Sequence, residues 1–475
     1  MELVKELIEE IKSLDIEKID FDNKGVAKEL FQKILNVVEV QAQEIRQLKA
    51  AYQQLKDENA RLKGEKGKPN IAPSVPPREP KLPPTEEPKK WKKSSKEHQI
   101  EIDKVVLLEI KKEDLPEDAK LVDITSRVIQ NARVVRENTE FRVCHYYSKS
   151  LNKHYYAKLP EEVQNTQFGP DLKAFIVGLY YAGRVTENKI HKFLKDIGTI
   201  ISEGEISNIL TKEMSEVFAS EKKNILETGI RRAKYFQTDE TGARHNGQNY
   251  YMHYFGNENF STFFIERSKS KETIRKKIGL MDGVLINTPM VTDGAKQYNG
   301  IASIHGLCWV HEVRHYIKLK PYLDHYRAIL EKFINEIWEF YDLLTRYKSN
   351  PDDDRLRQEI TQNFESLFTR VTGYAELDKR IASTWMNRDK LLAVLDAPAL
   401  PLHNNGSEIA VREGVIKRKI SYGTRSELGK AAWENMLSIL DTCRKLKVSF
   451  LEYIRDIYSK SFSMPRLADM IPRAG

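Results

Sequence analysis

Residues Ala233–Gly242 read AKYFQTDETG. Tyr235 and Phe236 give way within three positions to Asp239 and Glu240, and Gly242 follows. The pattern predicts a short buried strand, Lys234–Thr238, ending in an acidic turn that delivers a carboxylate to the rim of a sheet. A single carboxylate in such a place is usually an ordinary turn residue. Its meaning depends on whether the chain supplies two more in suitable settings.

Moving toward the C-terminus, QNYYMHYFG and STFFIERS alternate as strands, and the intervals GARHNG and NEN suit hairpins. A helix is expected over about Lys271–Leu280. GVLINTPMVTDG then predicts a strand ending at Asp293, followed by a short helix at about Ala295–Ala302 and a further strand in HGLCWVH. The order β-β-β-α-β-α-β is the ribonuclease H-like order. Glu312–Leu395 reads as almost continuous helix, broken at SNPDDD, and is expected to be an α-helical insertion. LHNNGSEIAVREGVIKRKISYG starts a helix near Asn405 with Glu408 in its first turn, and Asn404 and Asn405 are suited to capping it. SELGKAAWENMLSILDTCRKL reads as a final amphipathic helix that buries Trp433, Leu437, Leu440 and Cys443.

Toward the N-terminus, Gly169–Leu226 is helical. Its segments TENKIHKFLKDIG and SEGEISNILTKEMSEVF form a pair turning at Gly198, similar to a helix-turn-helix. The second helix carries Glu203, Glu205 and Glu213, an unusual choice for reading bases. Ile100–Pro160 has β character and predicts a small sheet domain. Gly67–Gln99 is rich in Pro and Lys and predicts a solvated linker whose basic end surrounds Trp91. Before it, Phe31, Val38, Ile45, Tyr52 and Asn59 alternate with Ile34, Gln41, Leu48, Leu55 and Leu62 in a seven-residue repeat. This predicts a coiled coil that joins copies of the chain. Leu3, Leu7, Ile11 and Leu14 predict a short amphipathic helix at the start.

The fold class is therefore multidomain α/β. An N-terminal helix and coiled coil (1–66), a linker (67–99), a small β domain (100–160) and a helical domain (161–230) precede a ribonuclease H-like core. That core falls in two parts, 231–311 and 401–475, separated by the insertion, 312–400. The 475 residues are 31% charged and 40% hydrophobic, with a net charge of +8, compatible with a polyanionic partner. No run approaches the roughly 20 apolar residues that span a bilayer. Cys144, Cys308 and Cys443 are widely separated, which argues against a disulfide scaffold and fits a reducing cytoplasm. Cys144 with His145 and His154 lacks the C-x-x-C partner of a structural zinc site, so zinc is not expected.

Asp239, Asp293 and Glu408 each follow an apolar strand or open a helix. Their hard oxygens suit Mg²⁺ or Mn²⁺. Two such ions about 4 Å apart can activate a hydroxyl and stabilise the leaving oxygen of a phosphodiester. Arg412 lies one turn beyond Glu408, and Lys417, Arg418, Lys419 and Arg425 form a basic run suited to a DNA backbone. Cys308 and His311 are too poorly placed, three residues apart at a strand-to-helix corner, to act as a nucleophile–base pair.

With TDETG, TDGAKQYNG (292–300), CWVHEVRHY (308–316) and PLHNNGSEIAVR (401–412), the chain resembles bacterial DDE transposases of the insertion sequence sixty-six family. The resemblance implies Asp239, Asp293 and Glu408 as the catalytic triad and metal ligands, two ions per site, and Cys308 and His311 as active-site support. It further implies DNA partners (terminal inverted repeats and target), a homo-oligomer, accessory transposition proteins and action at the nucleoid. Two departures stand out. Only Cys144 remains of the family's cysteine-rich zinc module, and His403 stands where the family has an acid before the paired asparagines. The alternatives are a metal-dependent nuclease of the same fold without strand transfer, and an inactive DNA-binding regulator.

Overall fold

The computed structural model describes residues 23–62, 101–111, 114, 116, 119–164 and 166–473. The helix expected over Leu3–Leu14 and the linker Gly67–Gln99 lie outside them. The chain divides into two units, Met1–Lys49 with Asn138–Gly475 and Ala50–Glu137. No described helix is long and apolar enough to cross a membrane.

Helix α1, Lys24–Leu62, is continuous over 39 residues. Among the described residues, the small β domain expected over 100–160 is reduced to one hairpin. Among the described residues of 101–144 there is no strand, and Val105, Leu108, Leu121 and Val122 are exposed. β-branched residues make a strand only where a neighbour takes up the main-chain N–H and C=O groups. That happens once, in the hairpin β1 (His145–Ser148) and β2 (Lys153–Tyr156), paired in the register His145↔Tyr156.

The helical region comprises α2 (Pro170–Val177, running into a π turn, Gly178–Ala182), α3 (Glu187–Asp196), α4 (Glu203–Thr211) and α5 (Ser215–Arg232). Ile190 and Leu194 of α3 and Ile206, Ile209 and Leu210 of α4 are buried as expected, whereas Phe193 is exposed. The second helix of the pair does not run on to Phe218. It stops at Thr211, and Met214 in the left-handed region (φ 54°) redirects the chain into α5.

The sheet follows. β3 (Phe236–His245), β4 (Gln248–Gly256) and β5 (Ser261–Glu266) form an antiparallel meander. Its first turn is Asn246–Gly247, both at positive φ, the geometry that matches strand twist in a two-residue hairpin. After α6 (Lys271–Lys277), β6 (Met290–Thr292) pairs parallel with β3, and β7 (His305–Leu307) pairs parallel with β6. The strand order is β5-β4-β3-β6-β7. The helix expected at Ala295–Ala302 is reduced to a 3₁₀ turn, Lys296–Tyr298.

The helical insertion runs from α7 (Trp309–Ile317) through α8 (Asp324–Ser349), α9 (Asp354–Phe368), α10 (Ala375–Met386) and α11 (Arg388–Leu391). It has its own core around Trp309, Phe333, Phe340 and Phe364. Helix α1 docks on it by its polar side. Buried Glu39 accepts the peptide N–H groups of Tyr322 and Leu323 at the start of α8, where the helix dipole favours an anion. Asn36 donates to the Gly373 carbonyl and accepts from the Ala375 N–H. The heptad seam faces outward: Phe31, Ile45, Leu48, Tyr52 and Leu55 are each more than half exposed.

The chain closes with α12 (Asn405–Ser421), α13 (Glu427–Leu446), α14 (Phe450–Tyr458) and α15 (Leu467–Met470). Helix α13 is not the last, but it buries Trp433, Leu437, Leu440 and Cys443 as its pattern predicts. It also closes the sheet edge. Glu434, Ser438 and Thr442, one turn apart, accept the N–H groups of Ile265, Phe263 and Ser261 on β5. The donors an edge strand normally leaves open are thus taken up by side chains.

Candidate active site

Strand β3 does not end before its acids. It continues through Asp239 and Glu240 to His245, because β4 supplies a partner for every residue: Asp239 faces Tyr254 and Glu240 faces His253. The pleat sends the two acids to opposite faces. Asp239 shares its face with Gln237 and Thr241, and α12 lies against both neighbours. A Cβ on Gly406 would stand 2.4 Å from Gln237 Oε1, and one on Gly414 3.2 Å from Thr241 Cγ2.

The parallel register fixes the second acid. Phe236 lies beside Met290 and Gln237 beside Val291, so the same offset brings Asp239 beside Asp293, one position past the end of β6. Neighbouring strands stand about 4.8 Å apart. Asp293 Oδ1 accepts the Ala295 N–H at 3.1 Å, and Gly294 makes the turn at φ 98°.

Glu408 comes from the far side of the insertion, on the first turn of α12. Three bonds set the start of that helix against the sheet. Buried Asn404 donates through Nδ2 to the Thr238 carbonyl at 3.0 Å, and its peptide N–H reaches Cys308 Sγ at 3.3 Å. Gln237 Nε2 donates to the His403 carbonyl at 2.8 Å. Asn404 occupies the N-cap position, but its side chain ties the helix to β3 instead of capping it.

Cys308 is buried as the N-cap residue of α7, and burial raises its thiol pKa. One turn on, His311 Nδ1 and Arg314 Nη1 each stand 3.6 Å from Glu408 Oε1. Arg314 was not singled out from the sequence, although it lies within CWVHEVRHY at helical spacing from His311. Glu408 Oε1, His311 Nδ1 and Asn404 Oδ1 are buried without a hydrogen-bond partner. Asp239 is pushed up to about 7, first by burial and then by the charges of Asp293, Glu240 and Glu408, with the Glu240 N–H acting the other way. Among the described residues, no three His, Cys, Asp or Glu side chains already enclose a metal-sized space.

Glu240, on the opposite face, is well partnered. It has three partners: Gln297 Nε2 at 2.6 Å, Tyr298 Oη at 2.5 Å and Lys269 Nζ at 3.6 Å. It anchors the turn that follows Asp293. Glu413, five residues beyond Glu408 on the same helix, pairs with Arg184 at 2.6 Å. Of the five residues expected to meet DNA, Arg412, Lys419 and Arg425 are exposed. The other two are held inward. Lys417 donates to Tyr180 Oη at 2.7 Å and sits 4.5 Å from the centres of the Tyr180 and Trp433 rings. Burial there lowers its pKa to about 8. Arg418 donates to the Gly242 carbonyl at 2.7 Å. Both long side chains lie over the packed strand and helices and are spent on internal contacts.

The family model for the transposase IS66 family matches residues 165–432, from the helical region through the sheet and insertion to α13. That is more than half of the chain, and the protein belongs to this family. It is also similar to an uncharacterized protein, y4jO, of Sinorhizobium fredii, with 38% identity over 174 residues. That match covers 37% of this chain and 53% of the relative, so the chain spans about half the relative's length.

Proposed function

We propose that the protein is the DNA transposase of an insertion sequence, with Asp239, Asp293 and Glu408 as its DDE triad. It binds terminal inverted repeats, cuts to release 3′-hydroxyls and joins them to target DNA. Membership of the transposase family supports the reading. The strand order, which fits a ribonuclease H-like core, supports it too. The observation that carries it is the parallel register aligning Asp239 with Asp293 while Asn404 fastens the helix of Glu408 to the same strand.

The donor set fits Mg²⁺ or Mn²⁺. Burial and the neighbouring charges of Asp293, Glu240 and Glu408 raise the proton affinity of Asp239, and a buried Glu408 oxygen has no hydrogen-bond partner, an arrangement that a hard cation would relieve. Asp239, Asp293 and Glu408 would hold the two ions, which would supply a lowered pKa for an attacking hydroxyl and charge neutralisation at the leaving oxygen. The chain's own groups do the rest. His311 and Arg314 orient Glu408, Glu240 holds the turn of Asp293, and Arg412, Lys419 and Arg425 offer cations to phosphates. Water would attack phosphorus and expel the element's 3′-oxygen, and that 3′-hydroxyl would then attack a target phosphorus and expel the target strand's 3′-oxygen, so no covalent protein–DNA intermediate forms. The outward heptad seam of α1 pairs protomers, one active site for each element end. Such a protein works in the bacterial cytoplasm at the nucleoid.

The test is Mg²⁺-dependent cleavage of DNA carrying the flanks of the protein's own coding region. Asp239→Asn, Asp293→Asn and Glu408→Gln each keep side-chain shape and should lower cleavage by about two orders of magnitude or more. Unchanged cleavage in all three would falsify the site. Pre-cut ends incubated with supercoiled target should yield joined products; cutting without joining would identify a nuclease.

A further inference from the structure

The β1–β2 hairpin has no role in the chemistry above, yet its surface is unusual. Its register places His145, Tyr147, His154 and Tyr156 on one face. The four rings form a ladder. His145 stacks on Tyr156 with centroids 4.2 Å apart and planes 5° apart, His145 stacks on His154 at 4.9 Å, and Tyr147 meets His154 at 4.7 Å. A hydrogen bond of 2.7 Å between His145 Nε2 and His154 Nδ1 locks the centre. Every ring is exposed, with Tyr156 at 66% and Tyr147 at 49%. Lys149 and Lys158 are exposed nearby, Lys153 lies on the opposite face over the Tyr155 ring, and no Asp or Glu occurs from Phe141 to Pro160.

Exposed aromatic rings are costly in water unless something covers them. A covering protein surface would be apolar, and a membrane surface would call for more aliphatic side chains at the tip than the single exposed Leu151. Here the rings have exposed lysines near them and no carboxylate in the surrounding sequence. Flat π faces with positive charge nearby match unpaired bases on a phosphodiester backbone. We propose that this hairpin binds single-stranded polynucleotide, stacking bases on Tyr147 and Tyr156 while the lysines meet phosphates. Under the transposase reading, on which the choice of DNA rests, the ligand is the unpaired strand exposed as element ends are cut. The histidine pair keeps the rings aligned before binding, which lowers the ordering cost.

The experiment uses the full chain carrying Asp239→Asn, which prevents cutting, with fluorescein-labelled dT20, U20 and a 20-base-pair duplex, followed by anisotropy without metal. Tyr147→Ala with Tyr156→Ala should weaken dT20 at least tenfold, since stacking contributes about 1–3 kcal/mol per base. Tyr147→Phe with Tyr156→Phe should restore it, because the ring and not the hydroxyl stacks. Lys149→Gln with Lys158→Gln should flatten the salt dependence of log K by about 1.4, at about 0.7 per phosphate on a single strand. Equal loss on U20 extends the ligand to RNA; loss confined to dT20 restricts it to DNA. These positions are exposed, so the melting temperature should not move. An unchanged dT20 affinity in the alanine pair overturns the proposal. Wild-type Mg²⁺ cleavage alongside that result leaves the transposase reading standing. Loss of dT20 binding in a protein that never cleaves sinks that reading and leaves the hairpin.

Discussion

Replacing Asn404 by alanine tests the join between the two halves of the core. The side chain is fully buried, and its Nδ2–Thr238 carbonyl bond of 3.0 Å bridges 166 positions of sequence. Removing it forfeits a net hydrogen bond of about 1 kcal/mol and leaves a buried carbonyl short of a partner, about 1–3 kcal/mol more. Together these give an expected loss of about 2–4 kcal/mol, and a small cavity raises it further. Urea unfolding followed by tryptophan fluorescence reads it, since Trp309 is buried next to Cys308, which receives the Asn404 N–H. Asn404→Asp is the control. It keeps the size but points an oxygen at the Thr238 carbonyl, so it should be at least as damaging at neutral pH. Both variants should also lose cleavage, because Glu408 follows Asn404 by one turn. A loss below about 0.5 kcal/mol in the alanine variant, or full stability in the aspartate variant, would refute the reasoning.

Ser438→Ala should cost about 1–3 kcal/mol by orphaning the Phe263 N–H, now 3.0 Å from Ser438 Oγ, and should raise amide exchange along β5. His253 and His305 are held down to about 4 by burial, against an ordinary 6.5. The unfolded chain protonates them first, so their contribution is complete above pH 6.5 and disappears as pH falls toward 4. It amounts to at most about 3 kcal/mol each. Replacing either with phenylalanine should flatten the dependence of stability on pH across that window, and an unaltered slope would count against it. Leu48→Ser with Leu55→Ser alters residues 69% and 64% exposed, so the monomer should fold normally while the mass from light scattering falls. An unchanged mass would remove the seam from any pairing role.

Much of the core was legible because burial writes periodicity. Alternation in β4 and β5, the Asn246–Gly247 turn and the apolar run into Asp293 all mark the elements that the structure contains. β3 was cut short because TDETGARH is polar: its side chains are consumed by α12 and by the Gln297–Tyr298 turn, contacts that come from far along the chain. Glu240 and Arg314 were passed over for the same reason. Lys417 and Arg418 read as free charge because sequence shows a side chain's charge and not the carbonyl or ring that claims it. On α1 the heptads were plain, but the docking face was hidden in Gln32, Asn36 and Glu39, polar residues that look solvated until the ends of α8 and α10 are placed beside them. Across 101–144 β-branched composition misled, since composition carries no information about whether a partner strand exists.

The distance between Asp293 and Glu408 also has a meaning in time. The ribosome delivers the paired aspartates first and must add 115 more residues before the glutamate exists. At roughly 5–20 residues per second that is on the order of 6–23 s. Throughout this interval the emerging chain holds two acids and no third, while α1 has already been made. On the proposed triad and pairing, a chain halted in that gap would pair but not cut. Supplying messages truncated after residue 400 alongside full-length protein should therefore poison cleavage in proportion to their ratio, and an absence of interference would show that pairing waits for the finished chain.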